Sequence, residues 1–278
     1  MSRPNLIIDN NGVLHSVRTN YQPVVNTPTL VNQVIPSTRF AVSDSCDSSI
    51  KEILRFTLTT EGRIYDTIKN ITLDIPSSVF TQVLECEEDV NIIALKTNGD
   101  LLNIVYHENK FIITLIIQNI RFVLPHHIGS SFLVLLTNDT WMELEIGTID
   151  HVGFNIQDPN LPKFNEIISI RSGIVRTTRG FFVVCGTKRA ELMPIITPEG
   201  TIDMMGFLQV SEYRALELYI ICNGKVGRTV IPTTGLTLPN WIIDTRLNGV
   251  YIKFIEYTMN EPGLRSVVDV NGVNHMMN

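Results

Sequence analysis

His126 and His127 stand side by side in "FVLPHHIGS". Two adjacent imidazoles suggest a metal pair or a proton relay. In extended backbone, however, neighbouring side chains point to opposite sides, so the two cannot easily hold one ion. His15, His107, His151 and His275 are scattered, with no spacing that suits a metal. The acidic run "ECEEDV" gathers Glu85, Glu87, Glu88 and Asp89, and "SDSCDSS" adds Asp44 and Asp47. A calcium loop needs alternating acids around a glycine, which neither stretch supplies. Cys46, Cys86, Cys185 and Cys222 lie far apart and form no C-x-x-C pair. Neither a zinc knuckle nor a disulfide framework is expected from them. Cys185 and Cys222 each end an apolar run, which suits buried packing. No Gly-x-Ser-x-Gly elbow occurs, and "NGKVGR" lacks the Lys-Ser/Thr ending of a phosphate loop. The expectation is therefore no catalytic residue, no metal and no cofactor.

Such residues would have to be placed by strands. Alanine occurs only at Ala41, Ala94, Ala190 and Ala215, while isoleucine, valine and threonine are abundant. Alanine favours helices and β-branched residues favour strands, so the composition predicts an all-β chain. One short helical turn is expected from Ile75 in "IPSSVFTQV". Among the 278 residues, 44% are hydrophobic and 18% charged, a balance opposite to that of a disordered chain. The net charge of −6 and the absence of a basic stripe argue against nucleic acid. No apolar stretch reaches the length of a membrane helix, and the first residues do not resemble a secretion signal. An intracellular setting without membrane contact is expected.

A hairpin unit repeats along the chain. "NIIALKTNGDLLNIV" from Asn91 is the clearest copy: two apolar arms flank Asn98-Gly99, a strong hairpin signal. Related copies begin at Leu6, Leu54, Ser131, Gly180, Leu216 and Val250. Their turn centres fall near Gly12, Gly62, Gly99, Asp139, Thr187, Gly224 and Glu261, a beat of about 41 residues. A short strand and a polar loop precede most copies. A unit of about forty residues with four strands is the mark of a propeller blade. The reading is a single β-propeller domain over residues 1–278, seven-bladed, with the N- and C-terminal strands closing the ring. Six blades is the alternative count, and a β-sandwich is the competing fold.

The copies "IIALKTNGDLLNI" and "FTLTTEGRIYDTI" resemble blades of the regulator-of-chromosome-condensation type of propeller. That family's blades carry a glycine-rich signature, which is missing here. The resemblance therefore implies the fold and a scaffold role, and does not imply exchange-factor activity. The excess of isoleucine and asparagine over alanine is also similar to proteins of AT-rich genomes, including large DNA viruses, which suggests a place in a viral assembly.

In a blade, strands run alternately up and down, so all pre-hairpin loops share one face. These loops are read as carrying Asp44 and Asp47; Glu85, Glu87, Glu88 and Asp89; His126 and His127; Arg176 and Arg179; Glu212, Tyr213 and Arg214; and Asp244 and Arg246. The acids lie in the first half of the order and the bases in the second. Such asymmetry can steer a protein partner. The expected function is a non-enzymatic interaction or structural scaffold, with a protein partner on this face. The alternative is a hydrolase or lyase with its site at the central channel.

Overall fold

The computed structural model describes residues 6–8, 11–16, 22–31, 43–45, 56–75, 78–86, 91–107, 110–125, 131–146, 151–171, 174–185, 191–197, 202–210, 215–232, 241–243, 252–257, 264–269, 271 and 273–276. The elements are strands throughout, apart from one 3-10 turn at Phe164–Glu166. Among the described residues the helical turn expected from Ile75 is not there: Pro76 and Ser77 lie outside them, and Phe80–Cys86 is a strand. Its Phe80, Val83 and Leu84 are drawn into the core, and tertiary burial overrides the local capping signal.

The strands form successive antiparallel sheets in chain order. The first holds β1 (Leu6–Ile8), β2 (Leu14–Ser16) and β3 (Gln22–Pro23). After β4 (Ser43–Ser45) comes a second three-stranded sheet of β5 (Phe56–Leu58), β6 (Ile64–Asp66) and β7 (Ile71–Thr72). Next are β8 (Phe80–Cys86), β9 (Asn91–Lys96), β10 (Leu101–His107) and β11 (Lys110–Ile117), with β4 added in parallel along β8. A fourth sheet contains β12 (Ile120–Pro125), β13 (Ser131–Leu136), β14 (Trp141–Ile146) and β15 (His151–Ile156). The fifth is β16 (Ile167–Arg171), β17 (Ile174–Thr177), β18 (Gly180–Cys185) and β19 (Glu191–Ile195). The sixth is β20 (Ile202–Val210), β21 (Ala215–Cys222), β22 (Lys225–Pro232) and β23 (Ile242–Ile243). The last is β24 (Ile252–Tyr257), β25 (Leu264–Asp269) and β26 (Asn274–Met276).

Consecutive up-and-down meanders packed face to face are β-propeller architecture. The apolar runs explain why they pack. In β9, Ile92 and Ala94 join one core cluster, whereas Ile93 and Leu95 join another. In β13, Leu133 and Leu135 share the first cluster, and Phe132 and Val134 the second. In β18, Phe182 and Val184 face one neighbour, while Val183 packs with Leu218, Ile220 and Cys222 of the next sheet. A strand buried on both faces reads as an unbroken apolar run. Each such Leu, Ile or Val contributes about 1.5–3 kcal/mol when fully buried.

Five sheets open on a strand with the same irregularity. In β8, β12, β16, β20 and β24 the register slips just after the first residue, which leaves Thr81, Arg121, Ile168, Asp203 and Lys253 as extra residues. A bulge adds twist and bends the strand it interrupts, and these five sheets are the blades. The expected count of seven is thereby corrected to five among the described residues. The hairpin beat counts tight turns, but a blade also needs its first strand. Ahead of β5 only Leu30 is described in that role, as an isolated bridge to Thr59. The terminal strands do not share a sheet among the described residues; β1 and β26 belong to separate ladders.

Two turn positions also move. The tight hairpin of the fifth sheet is β17–β18, turning at Thr178-Arg179 rather than near Thr187. In the last sheet it is β25–β26, turning at Asn271 rather than near Glu261.

Candidate interaction surface

The sheet order gives each blade two ends. At one end lie the tight turns. At the other lie the connections from first to second strand: segments 87–90, 126–130, 172–173, 211–214 and 258–263. Glu87, Glu88, His126, His127, Tyr213 and Arg214 fall in these connections and lie outside the described residues, as do Asp47 and Arg246. Asp89, Glu212 and Asp244 also lie outside the described residues, and the remaining four expected residues are placed elsewhere, Glu85 within β8 opposite Ile92. Asp44 sits within β4, opposite Leu84 in the parallel ladder, and not in a loop. Arg176 is an exposed residue of β17, with its guanidinium 5.8 Å from the Phe181 ring centroid. Arg179 belongs to the tight turn at the opposite end of the blade. This blade is shifted by one strand from the expectation, because the apolar "GFFVVC" forms the second hairpin arm and not the first.

The tight-turn end is where the blades lock together. Leu30 N–H donates to the Gly12 carbonyl at 2.8 Å, Phe80 N–H to Gly62 at 2.9 Å, and Ile120 N–H to Gly99 at 3.0 Å. One residue earlier, the carbonyls of Thr29, Val79 and Asn119 accept the N–H groups of Thr60, Thr97 and Thr137 at 3.0, 3.1 and 2.9 Å. One peptide group is thus held from both sides by two consecutive turns. Thr178 repeats the donation, to the Glu166 carbonyl at 2.8 Å. Buried backbone groups must be paired, and this staple pairs them across the first three junctions. Its sequence signal is the Thr of "TTEG", "KTNG", "LTND" and "TTRG", which would have set the frame of the fifth sheet correctly.

Gln82 supplies a second lock. It is 1% exposed. Its Nε2 donates to the Val123 carbonyl, and its Oε1 accepts the Val123 N–H at 2.9 Å. The side-chain amide replaces a missing backbone neighbour along β12.

The densest polar cluster joins the fourth and fifth sheets through residues 158–166. Asp158 accepts the Asn160 N–H at 2.9 Å, and the Trp141 indole donates to the Pro162 carbonyl at 2.8 Å. Asp139 accepts the Phe164 N–H at 3.2 Å. Phe164 stacks on Phe122 at 5.6 Å, and the Arg121 guanidinium lies 4.1 Å from the Phe164 ring centroid. Arg179 donates to the Asn160 carbonyl at 3.1 Å and to Glu166 at 3.0 Å. The Lys163 backbone N–H, followed by Arg179, holds the Glu166 carboxyl below its usual range. Arg179 therefore ties the β17–β18 turn to the segment that joins the fourth and fifth sheets. Cys222 is buried as expected, packed with Ile174, Val183 and Leu218.

Among the described residues no group of three or more His, Cys, Asp or Glu is placed to hold a metal ion. No described helix is long and apolar enough to cross a membrane.

No protein-family model matches the chain, and no curated protein matches it. Solved structures do resemble it. The β-propeller domain of Cps50 (Swd1) from Myceliophteria thermophila is 9% identical, with all of this chain and 98% of that one covered and a TM-score of 0.48. The N-terminal domain of Nup159 is 12% identical over 98% of this chain and 88% of that one, with a TM-score of 0.46. Dihydro-heme d1 dehydrogenase NirN is also 12% identical, at a TM-score of 0.48; 97% of this chain is covered, but only 60% of the dehydrogenase. At these scores none bears on function, and the architecture rests on the sheet order itself. The resemblance to the chromosome-condensation regulators stays at the level of the propeller fold.

Proposed function

We propose that the chain is one propeller domain that serves as a non-enzymatic interaction module, with a protein partner on the face of the first-to-second strand connections. What supports the reading is topology. β8, β12, β16 and β20 all end at the same end of their blades, and each leads into a polar connection. Glu87 and Glu88 occupy one of these connections, His126 and His127 another, and Tyr213 and Arg214 a third. Arg176 and Arg179 leave the set, since the tight-turn end holds one of them against the segment that joins the fourth and fifth sheets.

The test is affinity capture from the native source with three double variants: Glu87→Lys with Glu88→Lys, His126→Ala with His127→Ala, and Tyr213→Ala with Arg214→Glu. The expected result is a loss of captured partner with an unchanged melting temperature. Undiminished capture by all three removes this face from consideration. Metal analysis of the purified protein addresses the alternative, a hydrolase or lyase at the channel. A stoichiometric ion there would favour the enzyme.

A further inference from the structure

The β9–β10 turn sets side by side two residues that can react with each other. Asparagine followed by glycine closes on itself: the glycine nitrogen attacks the asparagine Cγ, and no side chain on the glycine obstructs it. Asn98-Gly99 is such a pair, and Asn98 is exposed to water. Gly99 cannot be exchanged for a safer residue. It is left-handed at φ +88°, and a Cβ there would lie 3.1 Å from the Ile120 carbonyl oxygen of the next blade. The docking that needs the glycine therefore brings the hazard with it.

An equivalent turn shows how the hazard is met. Lys96 N–H bonds to the Asp100 carbonyl at 2.9 Å, and Leu136 N–H to the Thr140 carbonyl at 2.9 Å. Asn98 and Asn138 hold the same place in these frames, and each accepts the N–H two residues on at 3.1 Å. Asn138 is followed by Asp139, whose side chain hinders attack. Asn98 has no such hindrance, and beside it Asp100 stands where the other turn has Thr140. The Asn98 amide donates to one oxygen of Asp100 at 2.7 Å, and the Gln118 amide donates to the other at 2.9 Å. Both ends of the Asn98 amide are thus pinned, so Cγ cannot turn its face to the Gly99 nitrogen. The Gly99 N–H donates to the Lys96 carbonyl at 3.0 Å, and attack requires that proton to leave. Gln118, then Asn98, keeps the Asp100 carboxyl below its usual range. A negative charge fixed beside Gly99 makes loss of its proton harder still.

We propose that Asn98-Gly99 is a latent self-modification site, held closed by Asp100 and Gln118 while the third and fourth sheets are docked, and reactive once that junction opens. In the reaction the Gly99 nitrogen bonds to Cγ of Asn98 and the Cγ–Nδ2 bond breaks. Nδ2 leaves as ammonia, carrying the Gly99 proton. Water then opens the cyclic imide at either carbonyl, giving aspartate or isoaspartate. Isoaspartate routes the backbone through the β-carbon and lengthens the turn. The Gly99 carbonyl is then moved away from the Ile120 N–H that it holds at 3.0 Å. The opening that starts the reaction is thereby made permanent.

The experiment incubates the full chain in heavy-oxygen water at mildly alkaline pH, either folded or unfolded in urea. Mass spectrometry of the digested chain then reads label at residue 98, with far-ultraviolet circular dichroism as the folding control. Label is expected to enter quickly in urea and far more slowly in the folded wild type. Asp100→Ala is expected to speed labelling of the folded chain roughly tenfold, the effect of losing one hydrogen bond to a charged group. Gln118→Leu lies outside the turn and leaves its backbone untouched, so it tests the shield even if Asp100→Ala does not fold. A smaller acceleration is expected from it. A folded wild-type chain that labels as fast as the chain in urea overturns the proposal. So does a rate that neither folded variant changes, because the backbone of the turn then protects Asn98 without Asp100 or Gln118.

Discussion

The Asn-Gly turns at Asn98-Gly99 and Asn223-Gly224 differ. In the β9–β10 turn, Lys96 N–H bonds to the Asp100 carbonyl at 2.9 Å and Gly99 N–H to the Lys96 carbonyl at 3.0 Å. Gly99 alone of that pair is left-handed, at φ +88°. In the β21–β22 turn, Cys222 pairs directly with Lys225, and Asn223 and Gly224 are both left-handed, at φ +49° and +70°. The second is the two-residue turn that the dipeptide favours in isolation. The first carries an extra residue as a bulge, and Asn98 steadies it by accepting the Asp100 N–H at 3.1 Å. The extra residue turns the Gly99 carbonyl toward Ile120 of the next blade. Turn chemistry therefore sets where the chain reverses, while docking against the neighbouring blade sets how.

Alanine at the turn glycines probes that division. Gly12 is the most confined: an added Cβ would lie 2.2 Å from the Leu30 carbonyl oxygen and 2.9 Å from the Thr29 side chain. Since backbone must move to admit it, Gly12→Ala is expected to cost roughly 3 kcal/mol or more. At Gly99 the nearest atom is the Ile120 carbonyl oxygen at 3.1 Å, so left-handed strain and crowding combine to about 2 kcal/mol. Gly224→Ala is expected to show the left-handed cost, about 1 kcal/mol. Denaturant melts of the three variants give the order. If Gly99→Ala costs no more than Gly224→Ala, docking of the turn contributes nothing and the contrast between the two turns fails.

The second probe separates Arg179 from Arg176. Arg179 ties the β17–β18 turn to Asn160 and Glu166, whereas Arg176 is an exposed strand residue. Arg179→Glu sets a like charge beside Glu166 and is expected to lower the melting temperature slightly, since exposed ion pairs contribute little. Arg176→Glu is expected to leave the melting temperature unchanged. Equal effects would mean that this tie adds nothing to stability.

The inner strands were legible because strands such as β9 and β13 are buried on both faces and so read as unbroken apolar runs. "SFLVLL" and "NIIALK" could hardly be anything else. The blade count was not legible, because tight turns recur even where the first strand of a blade is reduced to a bridge at Leu30. The frame of the fifth sheet was lost for a different reason. "IVRT" and "GFFVVC" are both apolar, and only the Thr-x-Gly between them shows which gap is the tight one. Gln82 could not have been found at all. A glutamine in a strand gives no hint that it will bond the backbone of another sheet 41 residues away.

The turn that contains Asn271 sharpens the comparison through pH. Asp269 N–H bonds to the Val273 carbonyl at 3.0 Å, the same five-residue frame as Lys96 to Asp100. Here a carboxylate takes the place of the asparagine that steadies the first turn. One oxygen of Asp269 accepts the N–H groups of Asn271 at 2.8 Å and Val273 at 3.0 Å. The other lies 3.1 Å from the His275 ring. The His275 hydrogen bond, then the Val273 N–H, lowers the Asp269 pKa below 3.8. A carboxyl whose folded pKa is depressed binds its proton more readily when unfolded. The stability it contributes is full above the unfolded value, near pH 4, and is lost as pH falls through the lower folded value. Asp269→Asn removes the titration while keeping an acceptor for both N–H groups. Thermal melts of the two proteins from pH 5 down to pH 2 are expected to show a gap in favour of the wild type that narrows with acid. A gap that stays constant across that range would mean that the turn is held by shape and not by the charge on Asp269.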